Sequence, residues 1–170
     1  MRVSILATGP SMSVEVAQSV MGTGIVIAVS DAWRLAPWAD ILVSSDAAWW
    51  KANPDALRFP RRKICIAKDW HAVEGVERFE GVTSGSNSGL LALRVAVSLG
   101  ATQVRLYGYD MRGTHFFGRH PEPALKNTTP ERFEVFKRQF AAFKPKGVEI
   151  INCTPGSALR CYPMLEPATC

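Results

Sequence analysis

Short apolar runs, many of them β-branched, alternate along this chain with longer segments of mixed polarity. Most runs stop at a cluster of Gly, Ser, Thr, Asn or Asp. The runs at 3–7, 25–29, 41–43, 63–67, 104–107 and 148–151 are too short for helices and read as strands. The run at 25–29, Ile-Val-Ile-Ala-Val, is apolar on both faces, which suits a central strand of a parallel sheet. Helical signals lie between the runs. Ser11 or Ser13 can cap a helix reaching to about Met21, with Glu15 near its positive end and Gly22 and Gly24 beyond it. Residues 90–99 are apolar nearly all round, with Arg94 the lone charge, and predict a buried helix ended by Gly100. Pro130 opens an amphipathic helix. Its Phe133, Phe136, Phe140 and Phe143, at three- and four-residue steps, predict a stripe in the core. Residues 69–83 are less regular and leave room for one further strand.

Strands alternating with helices predict an α/β, Rossmann-like fold: a mainly parallel sheet with helices on both faces. At 170 residues the chain suits a single domain, 1–170. With 47% hydrophobic and 21% charged residues, the composition argues against disorder. No apolar run approaches the ~20 residues that span a bilayer, and the N-terminal run reads as a strand rather than a signal peptide. A cytoplasmic protein without a membrane partner is expected. Cys65, Cys153, Cys161 and Cys170 form no Cys-x-x-Cys pair and are expected to be reduced thiols. The net charge of +5 favours anionic partners. The basic cluster Arg58, Arg61, Arg62 and Lys63 reads as a solvated loop rather than a nucleic-acid surface.

Candidate chemistry gathers where the strands end. The segments Thr8-Gly9-Pro10-Ser11, Ser30-Asp31, Ser44-Ser45-Asp46, Thr83-Ser84-Gly85-Ser86-Asn87, Gly108-Tyr109-Asp110 and 152–157 can converge on one sheet edge, and ligands of open α/β sheets bind there. Two segments precede helices, whose free N–H groups favour anions, and Gly9 and Gly85 would admit a phosphate close to the backbone. Asp31, Asp46 and Asp110 could bind ribose hydroxyls or a divalent cation, or could cap the helices that follow. No Gly-x-Gly-x-x-Gly follows the first strand, and no P-loop is present, which argues against an ordinary NAD enzyme or P-loop ATPase. His115 and His120 lie in the long polar loop 111–129, where either could act as a general base.

These motifs, in this order, resemble two families. Thr8-Gly9-Pro10-Ser11, Thr83-Ser84-Gly85, Leu106-Tyr107-Gly108-Tyr109-Asp110 and Asn152-Cys153-Thr154-Pro155-Gly156-Ser157 are similar to blocks of the bacterial sialyltransferases of glycosyltransferase family 42. Ala39-Asp40-Ile41-Leu42-Val43-Ser44-Ser45-Asp46 and the Gly-Pro-Ser turn also resemble the archaeal 6-hydroxymethylpterin diphosphokinase-like family. The first resemblance implies a nucleotide-activated donor such as a CMP-sugar in the edge crevice. Thr8 to Ser11 and Ser84-Gly85 would be at the nucleotide, with His120 or His115 as catalytic base. The short chain resembles a compact, phage-encoded member of such a family. It departs from that family's pattern: Thr8 replaces an asparagine, Ser30 or Asp31 stands where a nucleotide-binding asparagine is usual, and the tyrosines that assist the leaving phosphate lack counterparts after Asp110.

Three functions follow as expectations. One is a glycosyltransferase-like transferase using a nucleotide-activated donor. The second is a diphosphokinase-like enzyme with Asp46 and Asp110 holding Mg²⁺. The third is a nucleotide-binding protein without catalysis. All three share a small-molecule nucleotide ligand.

Overall fold

The computed structural model describes residues 1–66, 73–80, 82 and 87–165. The elements are β1 (Arg2–Leu6), α1 (Val14–Ser19), β2 (Ile25–Val29), a 3₁₀ turn (Ser30–Arg34), β3 (Ile41–Val43), α2 (Ala47–Ala52), a second 3₁₀ turn (Pro54–Arg58), β4 (Arg62–Cys65), β5 (Glu77–Arg78), α3 (Ser88–Ser98), β6 (Gln103–Tyr107), α4 (Pro130–Ala142) and β7 (Glu149–Asn152). The seven strands form one sheet in the order β5-β4-β3-β2-β1-β6-β7, and every pairing is parallel. The fold is a Rossmann-like α/β fold.

The two faces of the sheet follow from alternation along each strand. Val3 and Ile5 of β1, Ile27 and Val29 of β2, and Val104 and Leu106 of β6 face α3 and the buried Phe140 of α4. Leu6, Val26, Ala28 and Leu42 face the other way, toward Ala17 of α1 and Trp49 and Trp50 of α2. Central strands must therefore be apolar at every position, which is why β2 shows no polar alternation. Ser13 caps α1 through its hydroxyl on the Val16 amide, and the helix stops at Ser19, two residues earlier than expected. β4 starts at Arg62 and β7 ends at Asn152, each shifted by one residue from the expected bounds. The extra strand expected within 69–83 is the two-residue edge strand β5. The basic cluster serves this edge: Arg62 pairs with Glu77, Arg61 with Asp40, and Lys63 donates to the Phe59 carbonyl.

Chain direction decides where a ligand can go. Beginning at β1, the chain adds β2 to β5 on one side, then returns through α3 to place β6 and β7 on the other. The order therefore reverses between β1 and β6, and helices leave the sheet in divergent directions there. Among the described residues no helix is long and apolar enough to cross a membrane. Cys65 and Cys161 carry thiols that are not in disulfides. Cys153 is disulfide-bonded, so the expectation of reduced thiols fails at that position.

Beyond β7 the chain is fastened by Asn152, which has no exposed surface. Its Nδ2 donates to the Ser157 hydroxyl and the Leu159 carbonyl, both at 3.0 Å, and its Oδ1 accepts from the Thr154 amide at 3.1 Å. Asn152→Ala should leave the Thr154 N–H and the Leu159 carbonyl buried without partners. At about 1–3 kcal/mol for each of the two orphaned groups, the expected loss is roughly 2–6 kcal/mol. A thermal melt should then fall by roughly 4–24 °C, and a drop under ~2 °C would mean the network does not hold the segment.

Candidate functional site

The site begins with two backbone turns pressed together. Gly9, after β1, donates its N–H to the Gly108 carbonyl after β6 at 2.9 Å. A Cβ at position 9 would lie 2.0 Å from Asp110 Oδ2 and 2.4 Å from the Gly108 carbonyl oxygen, so only glycine fits. Gly108 is equally confined: its φ is +73°, and a Cβ there would meet Met12 at 2.3 Å. Asp110 is buried, and its Oδ2 accepts from the Ser11 hydroxyl at 2.8 Å. The Gly-Pro-Ser turn is thus bolted to the end of β6 by a carboxylate. Gly9 is small because Asp110 occupies the space.

A cleft of about 800 Å³ opens beside this bolt, at the carboxyl edge where the strand order reverses. Of the residues expected from sequence, Thr8, Gly9, Ser30, Asp31, Asn87, His115 and His120 line it. Ser30 has φ +45°, a conformation that costs a non-glycine residue energy. Its hydroxyl lies 3.1 Å from that of Ser44. Asn87 caps α3, its Oδ1 accepting from Leu90 N at 3.1 Å. Tyr109 donates from its hydroxyl to the Gly89 carbonyl, which ties the start of α3 to the end of β6.

Other expected residues have different work. Pro10, Ser11, Ser45, Asp46 and Asp110 are not among the cleft-lining residues. Ser45 bonds Ser88 through both its amide and its hydroxyl. Asp46 caps α2 by accepting from Ala48 N at 2.9 Å. The carboxylate of Asp31 borders the cleft yet is engaged by Trp49 Nε1 at 2.8 Å and Arg34 Nε at 3.3 Å. Among the described residues, no group of three or more His, Cys, Asp or Glu gathers as a cation would require. Thr83, Ser84, Gly85, Ser86 and His71 lie outside the described residues.

The loop after β6 brings the histidines in. Phe116 N donates to the Thr8 carbonyl at 2.8 Å, and His115 pairs with Gly118 across a tight reversal. The ring of His115 lies flat on that of Phe117 at 4.8 Å, and the His120 ring is 4.6 Å from that of His115. His115 Nδ1 is 2.8 Å from the Thr8 hydroxyl. Burial, with His120 beside it, pulls the His115 pKa down to about 4, so the ring is neutral at neutral pH.

Sequence reasoning missed several cleft residues. Arg112, Arg119 and Asn127 come from the loop, and Phe133, Phe136 and Lys137 from α4. Arg112 and Arg119 have no ion-pair partner among the described residues. Lys137 pairs with Glu134 at 2.6 Å. The basic residues of the loop were the available signal, since they sit in a segment that starts at the binding edge. The aromatic stripe was misleading: of its four rings only Phe140 is fully buried.

Gly9→Ala should force the two turns apart and cost about 1–3 kcal/mol, as overpacking does. The expected reading is a lower urea midpoint at unchanged slope, and an unchanged midpoint would show that the bolt yields freely. A second outcome concerns acid. The folded pKa of His115, about 4, lies below the ~6.5 of an unfolded histidine, so on acidification the unfolded chain takes up the proton first. Stability attributable to this residue is whole above about pH 6.5 and declines as the pH falls from there toward 4. His115→Gln should flatten that part of a melting-temperature profile. The ring proton shifts of wild-type His115 should hold steady from about pH 7.5 to 5.5, and a midpoint near 6.5 would contradict the burial argument.

Comparison of the chain with models of protein families, with curated proteins and with solved structures finds no match in any of the three. What the cleft binds has to be read from its own side chains.

Proposed function

We propose that the cleft binds a phosphate-bearing nucleotide and serves group transfer from a nucleotide-activated donor, in the manner of a glycosyltransferase. One juxtaposition carries this reading. Two histidines meet at the strand-order reversal of a parallel sheet, in a cleft that also holds Arg112 and Arg119, cations without an ion pair among the described residues. The reversal is where such sheets take nucleotides. Guanidinium groups suit phosphate oxygens through paired, charge-assisted hydrogen bonds. The histidines supply proton transfer.

The two rings divide the labour. A ring as hard to protonate as His115 is a weak base, which suits it to fixing geometry against Thr8. His120 then takes the acceptor's hydroxyl proton as the acceptor oxygen bonds to the donor carbon. The bond from that carbon to the phosphate oxygen breaks, and the nucleoside phosphate leaves with the electron pair. Arg112 and Arg119 stabilise the charge on the departing phosphate.

A thermal-shift screen of CMP, CMP-sugars and ATP, with and without Mg²⁺, tests the binding. A true ligand at 100 times its dissociation constant should add about 2.7 kcal/mol of stability. Arg112→Ala with Arg119→Ala should weaken that ligand and reduce the salt dependence of its affinity. His120→Ala should cut turnover about 10²- to 10⁴-fold with affinity nearly unchanged. If no nucleotide stabilises the wild type, the reading falls. If nucleotides bind but no donor is turned over, the protein is a nucleotide binder without catalysis.

A further inference from the structure

The four phenylalanines of α4 do not share one fate. Phe140 packs edge-on against Tyr109 and Tyr162, and Phe143 joins the same core. Phe133 and Phe136, nearer the start of the helix, belong to neither core. Both are half-buried and line the cleft, their rings edge-to-face at 6.5 Å. The Arg132 guanidinium lies over the Phe136 ring, 5.2 Å from its centroid. Neighbouring aromatic rings left out of the core and facing a cleft are apolar surface that the fold itself does not cover. Beside them in the cleft lining is Asn127. Its Oδ1 already accepts from the His120 amide at 2.9 Å, which leaves its NH₂ group to donate elsewhere. Aromatic faces with a hydrogen-bond donor in the same cleft suit a planar heteroaromatic ring: the face of such a ring stacks whatever its substituents, and the donor reads its edge.

We infer that Phe133, Phe136 and Asn127 form the seat of the base of the bound nucleotide, an inference that rests on the nucleotide reading above. The ligand lies with its base against α4 and its phosphate toward Arg112 and Arg119 of the loop. Specificity for one base over another then resides in the loop residue Asn127 rather than in the sheet.

The test uses the whole chain and the tightest binder among CMP, UMP, AMP and GMP, with ribose 5-phosphate as the probe that lacks a base. The double variant Phe133→Leu, Phe136→Leu keeps apolar bulk and removes stacking. Its affinity for the nucleoside monophosphate should fall roughly 5- to 100-fold, the range covered by base–aromatic stacking, while ribose 5-phosphate binds within about twofold of wild type. Asn127→Ala should narrow the spread of affinities among the four nucleotides. It also serves, with Phe133→Leu alone, if the double variant does not fold. Unchanged nucleotide affinity in the double variant, with wild type binding normally, would overturn the seat and leave the nucleotide reading standing. A wild type that binds none of the five probes would remove both. A wild-type dimer that the double variant dissociates, with nucleotide affinity unchanged, would overturn the seat in favour of a subunit interface.

Discussion

Asp110 is almost wholly buried, and its carboxylate lies where a side chain on residue 9 would otherwise be. The rest of the cleft-bearing edge depends on that contact. It joins the turn after β1 to the turn after β6, the two strands between which the sheet reverses its order. Strand pairing alone would align β1 and β6 but leave the chain beyond them free to splay. The Ser11 hydroxyl satisfies the buried carboxylate, and the Gly9 amide satisfies the Gly108 carbonyl. The polar groups at this crossing therefore have partners, which is the condition for burying them. The loop carrying the histidines is then hung from Thr8, one residue from the bolt.

The fold was legible because it rests on a signal that survives without context. Uninterrupted apolar runs such as 25–29 can only be central strands covered on both sides, and they punctuate the chain at intervals that fit crossover helices. The edge that carries the cleft was legible in outline for the same reason, since strand ends mark it. The work of single residues was not. Gly9 and Asp110 lie 101 positions apart, and nothing local in either turn announces their contact. A helix cap, as at Asp46, was among the meanings open to an acidic residue after a strand; a partner for Trp49, as at Asp31, was not, and only packing decides it. The aromatic stripe of α4 misled because periodicity shows which rings share a face without showing where along the helix the core ends.

That ending point matters to the chemistry. α4 buries its C-terminal half against α3 and the sheet and leaves its N-terminal half beside the cleft, so one amphipathic surface changes partner along its length. Charge is divided in a similar way. Arg61, Arg62 and Arg34 are consumed in surface pairs that fasten neighbouring elements, while Arg112 and Arg119 remain uncommitted at the cleft. A net charge of +5 therefore understates how local the attraction for an anion is.

The pairing of β1 with β6 also has a consequence for how the protein comes to be made. Arg2 lies opposite Gln103 in the sheet, and the cleft takes its walls from residues as distant as Ala7 and Lys137. The hydroxyl of Tyr162 donates to the carbonyls of Phe140 and Phe143, so the end of α4 is fastened by a residue close to the C-terminus. A chain emerging from the ribosome can lay down β1 to β4 early, yet one edge of its first strand waits for β6. Through that interval the nascent protein carries an apolar, unpaired strand edge, the feature most open to mispairing with another chain. The price of placing a cleft at a sheet reversal is thus a late-closing seam, and ribosome pausing before β6 would lengthen the period in which that seam stays open.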